Sequence, residues 1–283
     1  MQTKQIFPLL ALFIAAALWS LGGVLIKILP LHPIAISGIR SFFAALFLLP
    51  FIRKIAVKNI RSVLTGALFY VLTVLTFVAS TKLTTAANAI LLQYTAPVFV
   101  GILSSAILKE KFSRSGWLIT FIVLAGMVCF FIGNLKFSGI AGNALAIVSG
   151  FCFAMLLIFM KLNKTGGSLE IIFAGNVITA FFALPFLIKG DFAVLTWQHW
   201  IVILVLGCLQ LGLAYVFYDY GVKHTSALNS ILSVTIEPIL NPLWAFLFIH
   251  ENPGLFAIVG GIIVILTITG WNIILLCKKT AVA

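Results

Sequence analysis

The chain has 283 residues, of which 63% are hydrophobic and 8% charged, and its mean hydropathy is +1.23. A soluble globular protein is about half apolar and about a quarter charged, so this composition excludes a soluble domain and predicts an all-α membrane protein. The net charge of +12 comes largely from Lys and Arg in short connections between apolar runs. This placement indicates membrane orientation rather than a nucleic-acid partner.

Ten apolar runs follow one another along the chain. The length of each is close to that of a membrane-spanning helix, which needs about 20 residues. They occupy residues 6–28, 33–52, 62–81, 86–107, 115–134, 139–160, 168–188, 198–221, 226–248 and 254–276. The short connections predict that consecutive helices are antiparallel neighbours. The first run lacks a signal-peptide cleavage pattern, so we expect it to remain as a span.

A sequence repeat divides the chain into two parts. A shift of 141 residues aligns, among others, Lys82 with Lys223, Asn88 with Asn229, Pro97 with Pro238 and Glu110 with Glu251. A slightly shorter shift aligns the Leu-Pro-Phe triplets that begin at residues 49 and 184. We therefore predict two five-helix repeats, residues 1–137 and 138–283, which enter the membrane in opposite senses because five is an odd number.

The positive residues are consistent with this inversion. With the N-terminus in the cytoplasm, 13 Lys and Arg residues fall on the cytoplasmic side and four on the other, and Arg40 lies within a span. The loop Lys109-Glu110-Lys111 corresponds to His250-Glu251-Asn252, so the second copy keeps the acid and loses both lysines. The pattern predicts cytoplasmic termini and an inverted repeat, which is a recurring architecture of secondary transporters.

The ninth run carries a polar stripe. Four polar residues recur at every fourth position and would share one face of a helix: Asn229, Ser233, Glu237 and Asn241. An ionised side chain at this depth costs about 2.5–3.5 kcal/mol on insertion scales. Glu237 is therefore either tied to a neighbouring helix or part of a substrate or proton site that faces a central cavity. Pro238 and Pro242 predict a kink beside it.

Two residues of the first two spans are further candidates for a substrate site. Arg40 could bind a substrate carboxylate or pair with Glu237, or its long side chain could snorkel to the outer surface. Trp19 lies on a helix face with small neighbours, among them Gly22 and Gly23. Those neighbours leave space either for a ligand or for another helix.

Aromatic and amide side chains in spans four and eight complete the set of candidates. Tyr215 and Tyr218 are three residues apart on one face and could form a cavity wall. Alternatively, Tyr218 could belong to an interfacial belt with Asp219 and Tyr220. Gln93 and Tyr94 precede Pro97, which frees the carbonyl of Gln93 from its helical hydrogen bond. We place both in the cavity because the polar stripe of the sister helix lies at the same depth.

Other polar and small residues have structural interpretations. Thr84-Thr85 and Thr225-Ser226 are predicted to cap the helices that follow them. Glu110 and Glu251 are expected to tie down loops rather than to bind substrate. A small-residue stripe in span six predicts a close packing seam between the two halves: Gly142, Ala146, Gly150 and Ala154.

The repeated motif resembles a known family. Each repeat contains a Thr/Ser-Ala-x-Asn-Ala/Ser-x-Leu approach, a mid-helix proline and a Glu after the helix end. In these features the chain is similar, over nearly its whole length, to the two EamA domains of the drug/metabolite transporter superfamily. The resemblance implies a ten-helix inner-membrane carrier of small metabolites, often an amino-acid or drug exporter, with a cavity between the two halves. Some relatives import instead.

Enzymatic chemistry has little support in the sequence. It contains no paired carboxylates and no nucleotide-binding or metal-ligand motif, and its four cysteines occur singly. We therefore expect a protein that is not an enzyme and needs no cofactor or metal.

The leading hypothesis is a secondary transporter that exports small metabolites, amino acids or related amphipathic compounds first, by alternating access around a central cavity. Its expected partners are the substrate and the lipid bilayer, and it could act as a monomer or a homodimer. The alternatives are an uptake carrier for a nucleoside-like or other small solute, and a non-transporting scaffold or sensor. A dry, packed centre would favour the scaffold, and a polar cavity would favour the carrier.

Overall fold

The computed structural model describes residues 3–52, 59–132, 139–189, 192–240 and 254–280. The regular structure in these ranges is helical, with no β-strand among them. Up to residue 132 the chain forms α1 (Thr3–Trp19), α2 (Gly22–Ile28), α3 (Pro33–Leu48), α4 (Ile60–Leu83), α5 (Ala86–Gln93), α6 (Ala96–Ile107) and α7 (Arg114–Phe131). A 3-10 turn, Leu49–Phe51, extends α3.

The second part of the chain has a similar series of helices. These are α8 (Ile140–Leu162), α9 (Ser168–Phe182), α10 (Leu184–Ile188), α11 (Trp197–Leu204), α12 (Ala214–His224), α13 (Ala227–Ser233) and α14 (Gly254–Thr280). A π-helical segment, Val205–Leu213, joins α11 to α12. Two 3-10 turns, Phe192–Val194 and Val234–Ile236, lie before α11 and after α13.

The helices account for the ten predicted spans. Eight described stretches are long and apolar enough to cross a membrane, and two shorter apolar ones, Ser168–Phe182 and Ala227–Leu240, occupy the seventh and ninth places. Large apolar side chains such as Leu118 and Phe121 are exposed on the outside of the bundle, as expected for a surface in contact with lipid. The prediction of an all-α, ten-helix membrane protein is confirmed.

Helices are interrupted beside both mid-helix prolines. Pro238 and Pro97 have no N–H to donate to the carbonyls four residues earlier, those of Val234 and Gln93. In the first part, α5 ends at Gln93 and α6 begins at Ala96. In the second part, a 3-10 turn follows α13 and helical backbone resumes at residues 237–240. A kink was predicted beside Glu237, and the structure has a 3-10 turn immediately before it, while Pro242 lies outside the described residues.

The small-residue stripe of α8 forms a seam with the first half of the chain. A Cβ added to Gly142 would lie 2.9 Å from the backbone nitrogen of Thr84, and one added to Gly150 would lie 2.6 Å from the carbonyl oxygen of Gln93. Ala146 and Ala154 of the same stripe are fully buried. The predicted packing seam is confirmed, and it brings α8 close to the interruption between α5 and α6.

Polar ties close the two ends of the bundle. At one end, the Lys27 ammonium donates to the carbonyl oxygen of Thr84 at 2.8 Å. At the other end, the Lys161 ammonium donates to the carbonyl oxygen of Thr225. There the Glu110 carboxylate accepts the backbone N–H of Ala227 at 3.0 Å, at the N-terminus of α13. The loop-tying role predicted for Glu110 is confirmed, and Glu251 lies outside the described residues.

The same type of N-cap begins α5 and α13. The Thr85 hydroxyl accepts the backbone N–H of Asn88 at 3.0 Å, and the Ser226 hydroxyl accepts that of Asn229 at 3.3 Å. These hydroxyls satisfy donors that the first helical turn leaves without an intrahelical partner. Both predicted caps are confirmed.

Candidate functional site

A cavity lies between helices of the two halves. The empty space between its side chains is about 500 Å³, including the part that is open to the outside of the cavity. Both polar and aromatic residues line it: Trp19, Arg40, Thr73, Val74, Phe77, Gln93, Tyr94, Phe153, Gln210, Leu211, Tyr215 and Glu237. Apolar walls with a few polar groups are typical of pockets that bind small molecules.

Six of the ten residues predicted for substrate binding line this cavity, and they come from both halves of the chain. They are Trp19, Arg40, Gln93, Tyr94, Tyr215 and Glu237. These residues are up to 218 positions apart in the sequence, and the helical packing brings them to one place.

Aromatic rings from two helices, α1 and α12, meet at one wall of the cavity. The centroid of the Trp19 ring lies 5.0 Å from that of Tyr215 and 4.9 Å from that of Tyr218. Tyr218 is fully buried behind this wall, and within the described part of the chain its hydroxyl has no hydrogen-bond partner. The interpretation of Tyr218 as part of an interfacial belt is therefore wrong, because the side chain is enclosed by protein.

Glu237 lies 9% exposed at the cavity, immediately after the 3-10 turn. Its Oε2 is 2.6 Å from the Tyr94 hydroxyl, which is also 2.8 Å from the carbonyl oxygen of Val234. Pro238 leaves that carbonyl without the usual helical donor. The tyrosine hydroxyl thus links the interrupted helix of one half to the acid that follows the interruption in the other half.

The Tyr94 hydroxyl has one proton and two neighbouring acceptors. When Glu237 is ionised, the proton can bond the carboxylate. When Glu237 is protonated, the acid can donate to the Tyr94 oxygen, and the tyrosine proton is then free to bond the Val234 carbonyl. The arrangement therefore accommodates both protonation states of Glu237 without moving a helix.

Arg40 lies on α3 and is only 2% exposed. Its Nη1 is 3.5 Å from Oε1 of Gln210, and its Nε has no hydrogen-bond partner among the described residues. No carboxylate oxygen of Glu237 lies within 4.0 Å of it, the limit for an ion pair. The interpretation that Arg40 snorkels to the outer surface is wrong, because the side chain is enclosed, and Arg40 does not pair with Glu237.

The π-helical segment Val205–Leu213 positions Gln210 beside Arg40. A Cβ added to Gly207 would lie 2.8 Å from the carbonyl oxygen of Arg40, so the segment approaches the backbone of α3 closely. A Cβ at Gly22 would lie 2.7 Å from Nε2 of Gln210. Two glycines thus leave the space in which this amide fits. π-Helical segments occur frequently at functional sites.

The predicted polar stripe does not have one common environment. The Asn229 side chain accepts a hydrogen bond from the indole of Trp271 on α14 at 3.2 Å. Ser233 is fully buried and its hydroxyl has no partner. Neither residue lines the cavity, and Asn241 lies outside the described residues. The 3-10 turn has about three residues per turn, so it breaks the four-residue periodicity on which the stripe was predicted.

Sequence reasoning missed several residues that line the cavity. Gln210 had a usable signal, since it is a polar side chain inside an apolar span. Thr73 had a weaker one. The apolar members had none, because in a span they look like any lipid-facing residue: Val74, Phe77, Phe153 and Leu211.

Gln93 is held at the cavity by the seam helix. Its Nε2 donates to the hydroxyl of Ser149 on α8 at 2.8 Å, and that hydroxyl donates to the carbonyl oxygen of Thr73 at 3.1 Å. The chain of bonds joins α5, α8 and α4.

Across the described ranges, no group of three or more His, Cys, Asp or Glu side chains could hold a metal ion.

Similarity to a solved structure supports the fold. A protein known from a crystal structure aligns with a TM-score of 0.78 over 93% of this chain and 96% of its own. The two sequences are 15% identical, so this likeness concerns the fold alone.

Sequence comparisons identify the family. A protein of Archaeoglobus fulgidus described as an uncharacterized transporter is 26% identical over 259 residues, which are 90% of this chain and 92% of that protein. The pseudopaline exporter of Pseudomonas aeruginosa is 28% identical over 186 residues, 63% of each chain. The sequence profile of the EamA-like transporter family matches residues 6–132 and again residues 140–273. With nearly its whole length matched by two copies of that profile, the chain belongs to the EamA-like transporter family and is a multi-pass membrane transporter.

Proposed function

We propose that the protein is a secondary transporter that exports small metabolites, amino acids or related amphipathic compounds first, by alternating access around the central cavity. One observation carries the proposal: a carboxylate, Glu237, and a guanidinium, Arg40, line the same aromatic cavity between the two halves. Inverted-repeat transporters bind their substrates near the bilayer midplane at the interface of the repeats.

The direction of transport is proposed from a relative. The Pseudomonas aeruginosa relative is named as an exporter. We propose the same direction for this chain, and residues 1–137 and 138–283 as the two halves that rock against each other. The excess of Lys and Arg on one side favours an orientation with both termini in the cytoplasm of a cell whose inner (plasma) membrane holds the protein.

Glu237 is the proposed anchor for a substrate amine or a coupling proton. The Tyr94 hydroxyl bonds its carboxylate, and Arg40 and Tyr215 line the same cavity. Tyr94 can stabilise either protonation state of the acid, as its single hydroxyl proton can bond either of two acceptors. A carboxylate that exchanges a proton for a substrate amine would couple export to proton entry.

The proposal is tested by transport in proteoliposomes that contain Glu237→Gln. We expect the flux of a radiolabelled amino acid to fall by about tenfold or more, the usual effect of losing a hydrogen bond or ion pair to a charged group. We also expect the remaining flux to lose the pH dependence of the wild type. Glu170→Gln is the matched control, since it makes the same chemical change on α9, outside the cavity lining.

Two results would contradict the proposal. Unchanged flux in Glu237→Gln at every pH would remove the acid from the mechanism. A second test compares cells that express the protein with cells that carry an empty vector. Equal sensitivity of the two to a panel of toxic amino-acid analogues would argue against amino acids as the exported class.

A further inference from the structure

Arg40 and Gln210 carry a function that the proposed export activity does not specify. We infer that they form a subsite for the carboxylate of the substrate, facing the anchor that Glu237 provides for its amine. The subsite rests on the proposed function, because it assigns the two charges of an amphipathic zwitterion to two places in the same cavity. The ligand class is a small aromatic or aliphatic amino acid, or a derivative that keeps both charged groups.

The first reason is the charge of Arg40. A guanidinium is always protonated in proteins, and this one is 2% exposed in the interior of a membrane protein. Within the described ranges, the ion pairs are Lys161 with Glu110 and Lys223 with Asp219, so Arg40 has no carboxylate partner there. A buried charge is stable only when it is paired and hydrogen-bonded. Among the described residues, the cavity therefore contains a cation without a counter-ion, a role that the carboxylate of a ligand would fill.

The second reason is the hydrogen bonding of Arg40. Its contact with Gln210 is 3.5 Å long, at the outer limit of a hydrogen bond, and no described residue bonds its Nε. Guanidinium groups present parallel N–H donors that match the two oxygens of a carboxylate. An incoming carboxylate could bind the guanidinium, while the Gln210 amide N–H₂ supplies a further donor.

The third reason is the position of the opposite charge. Glu237 bonds Tyr94 rather than Arg40, although both charged residues line the cavity. Trp19 and Tyr215 line it as well, with their rings in contact. A zwitterion with an apolar body would satisfy both charged groups and pack against these rings. A compound with a single charge would leave one of the two buried groups unpaired, which is costly.

The experiment uses Gln210→Glu in the full-length protein. This change places a carboxylate beside Arg40, so the protein supplies its own counter-ion and the subsite is filled. The probes share one phenyl body: L-phenylalanine with both charges, 3-phenylpropionate with the carboxylate and 2-phenylethylamine with the ammonium. Binding is measured in detergent as the ligand-dependent rise in melting temperature, which reports affinity by mass action.

We expect Gln210→Glu to lower the affinity for L-phenylalanine and for 3-phenylpropionate by about tenfold or more. The affinity for 2-phenylethylamine should stay the same or rise. Arg40→Gln should give the same ranking of the three probes. Gln93→Glu is the matched control, because it adds the same charge to the same cavity but beside Ser149. It should lower the affinity for L-phenylalanine and 3-phenylpropionate clearly less than Gln210→Glu does.

Several results would overturn the subsite. One is that neither carboxylate probe stabilises the wild type. Another is that Gln210→Glu lowers the affinity for all three probes equally. A third is that Gln93→Glu lowers the affinity for the two carboxylates as much as Gln210→Glu does. If Arg40→Gln does not fold, Gln210→Glu alone decides, since it keeps the arginine and adds a pairing partner. Chloride or phosphate that stabilises the wild type as strongly as the carboxylates, and loses its effect in Gln210→Glu, would assign the site to inorganic anions instead.

Failure of the subsite and failure of the proposed function give different results. If the carboxylates bind through Arg40 but proteoliposomes show no export, the subsite stands and the export proposal falls. If export of L-phenylalanine proceeds and Gln210→Glu changes neither its binding nor its flux, the export proposal stands and the subsite falls.

Discussion

The two halves of the chain share their scaffold but not their chemistry. Both contain a hydroxyl cap before the interrupted helix, at Thr85 and Ser226, and a proline after the interruption. Both also have a lysine that binds the carbonyl of a threonine just before that cap. The charged residues of the cavity have no such counterparts. With the shift of 141 residues, Glu237 aligns with Ala96. With the shorter shift that aligns the Leu-Pro-Phe triplets, Arg40 aligns with Gly175.

This difference shows which residues serve the architecture and which serve the site. A repeated fold needs the same caps and close contacts twice, so these residues occur in both copies. A single cavity between the two halves needs each charge once. The acid comes from the second half and the base from the first, and a substrate with two opposite charges would therefore have a fixed orientation between the halves.

The largest effect that tests this comparison is expected at Tyr94, whose counterpart in the repeat is Thr235. Tyr94→Phe removes the donor to the Glu237 carboxylate and to the Val234 carbonyl. We expect transport in proteoliposomes to fall by about tenfold, because a buried charged group loses its hydrogen bond.

Thr235→Val is the control for Tyr94→Phe. Its hydroxyl bonds the carbonyl of Leu232 within its own turn, so we expect flux within about twofold of the wild type, as for other local bonds. Equal losses of flux in the two variants would show that the two halves contribute to transport symmetrically, contrary to the difference in their chemistry.

A smaller effect is expected at the seam between the halves. In Gly150→Ala, the new Cβ would lie 2.6 Å from the Gln93 carbonyl oxygen, which is backbone and cannot turn aside. We expect a loss of about 1–3 kcal/mol in stability, the usual cost of overpacking. It should appear as a lower melting temperature of the protein in detergent.

Gly270→Ala is the matched control for the seam. It is also a helical glycine, on α14, but among the described residues no atom beyond its chain neighbours and its own helical backbone lies within 4 Å of the position of its new Cβ. We expect a gain of about 0.5–1 kcal/mol from the lower entropy of the unfolded chain. A melting temperature that rises in both variants would mean that the halves do not approach closely at Gly150.

The smallest expected effect concerns the two caps. Thr85→Ala and Ser226→Ala each remove one acceptor for a backbone N–H at a helix start. We expect each to cost about 1 kcal/mol. Similar falls in melting temperature would support an equivalent scaffold in the two halves, whereas a loss in only one of them would limit the equivalence to sequence.

The sequence was a good guide to the helices and to their ends. Apolar runs of membrane length gave the spans because a bilayer leaves a backbone few alternatives to a helix. Thr85 and Ser226 gave two helix starts because a side-chain oxygen there satisfies a free N–H. Glu237 was identified for a similar reason, since a charge at that depth needs a partner.

The partners themselves could not be predicted. Glu237 bonds Tyr94, which is 143 residues away, and Arg40 lies beside Gln210, which is 170 residues away. Asn229 was assigned to the site because it lies eight residues before Glu237, in a series that recurs at every fourth position. The intervening 3-10 turn changed that spacing, and Asn229 contacts Trp271 instead.

The sequence by itself determined that this protein is a helical membrane bundle built from a repeated unit, with one acid in the ninth span and one arginine in the second. Only the tertiary structure decided which faces of those helices meet. Phe153 lines the cavity whereas Phe181 is exposed on the outside. The physical reason is that lipid and protein interior are both apolar, so hydrophobic periodicity does not distinguish a buried face from a lipid-facing one.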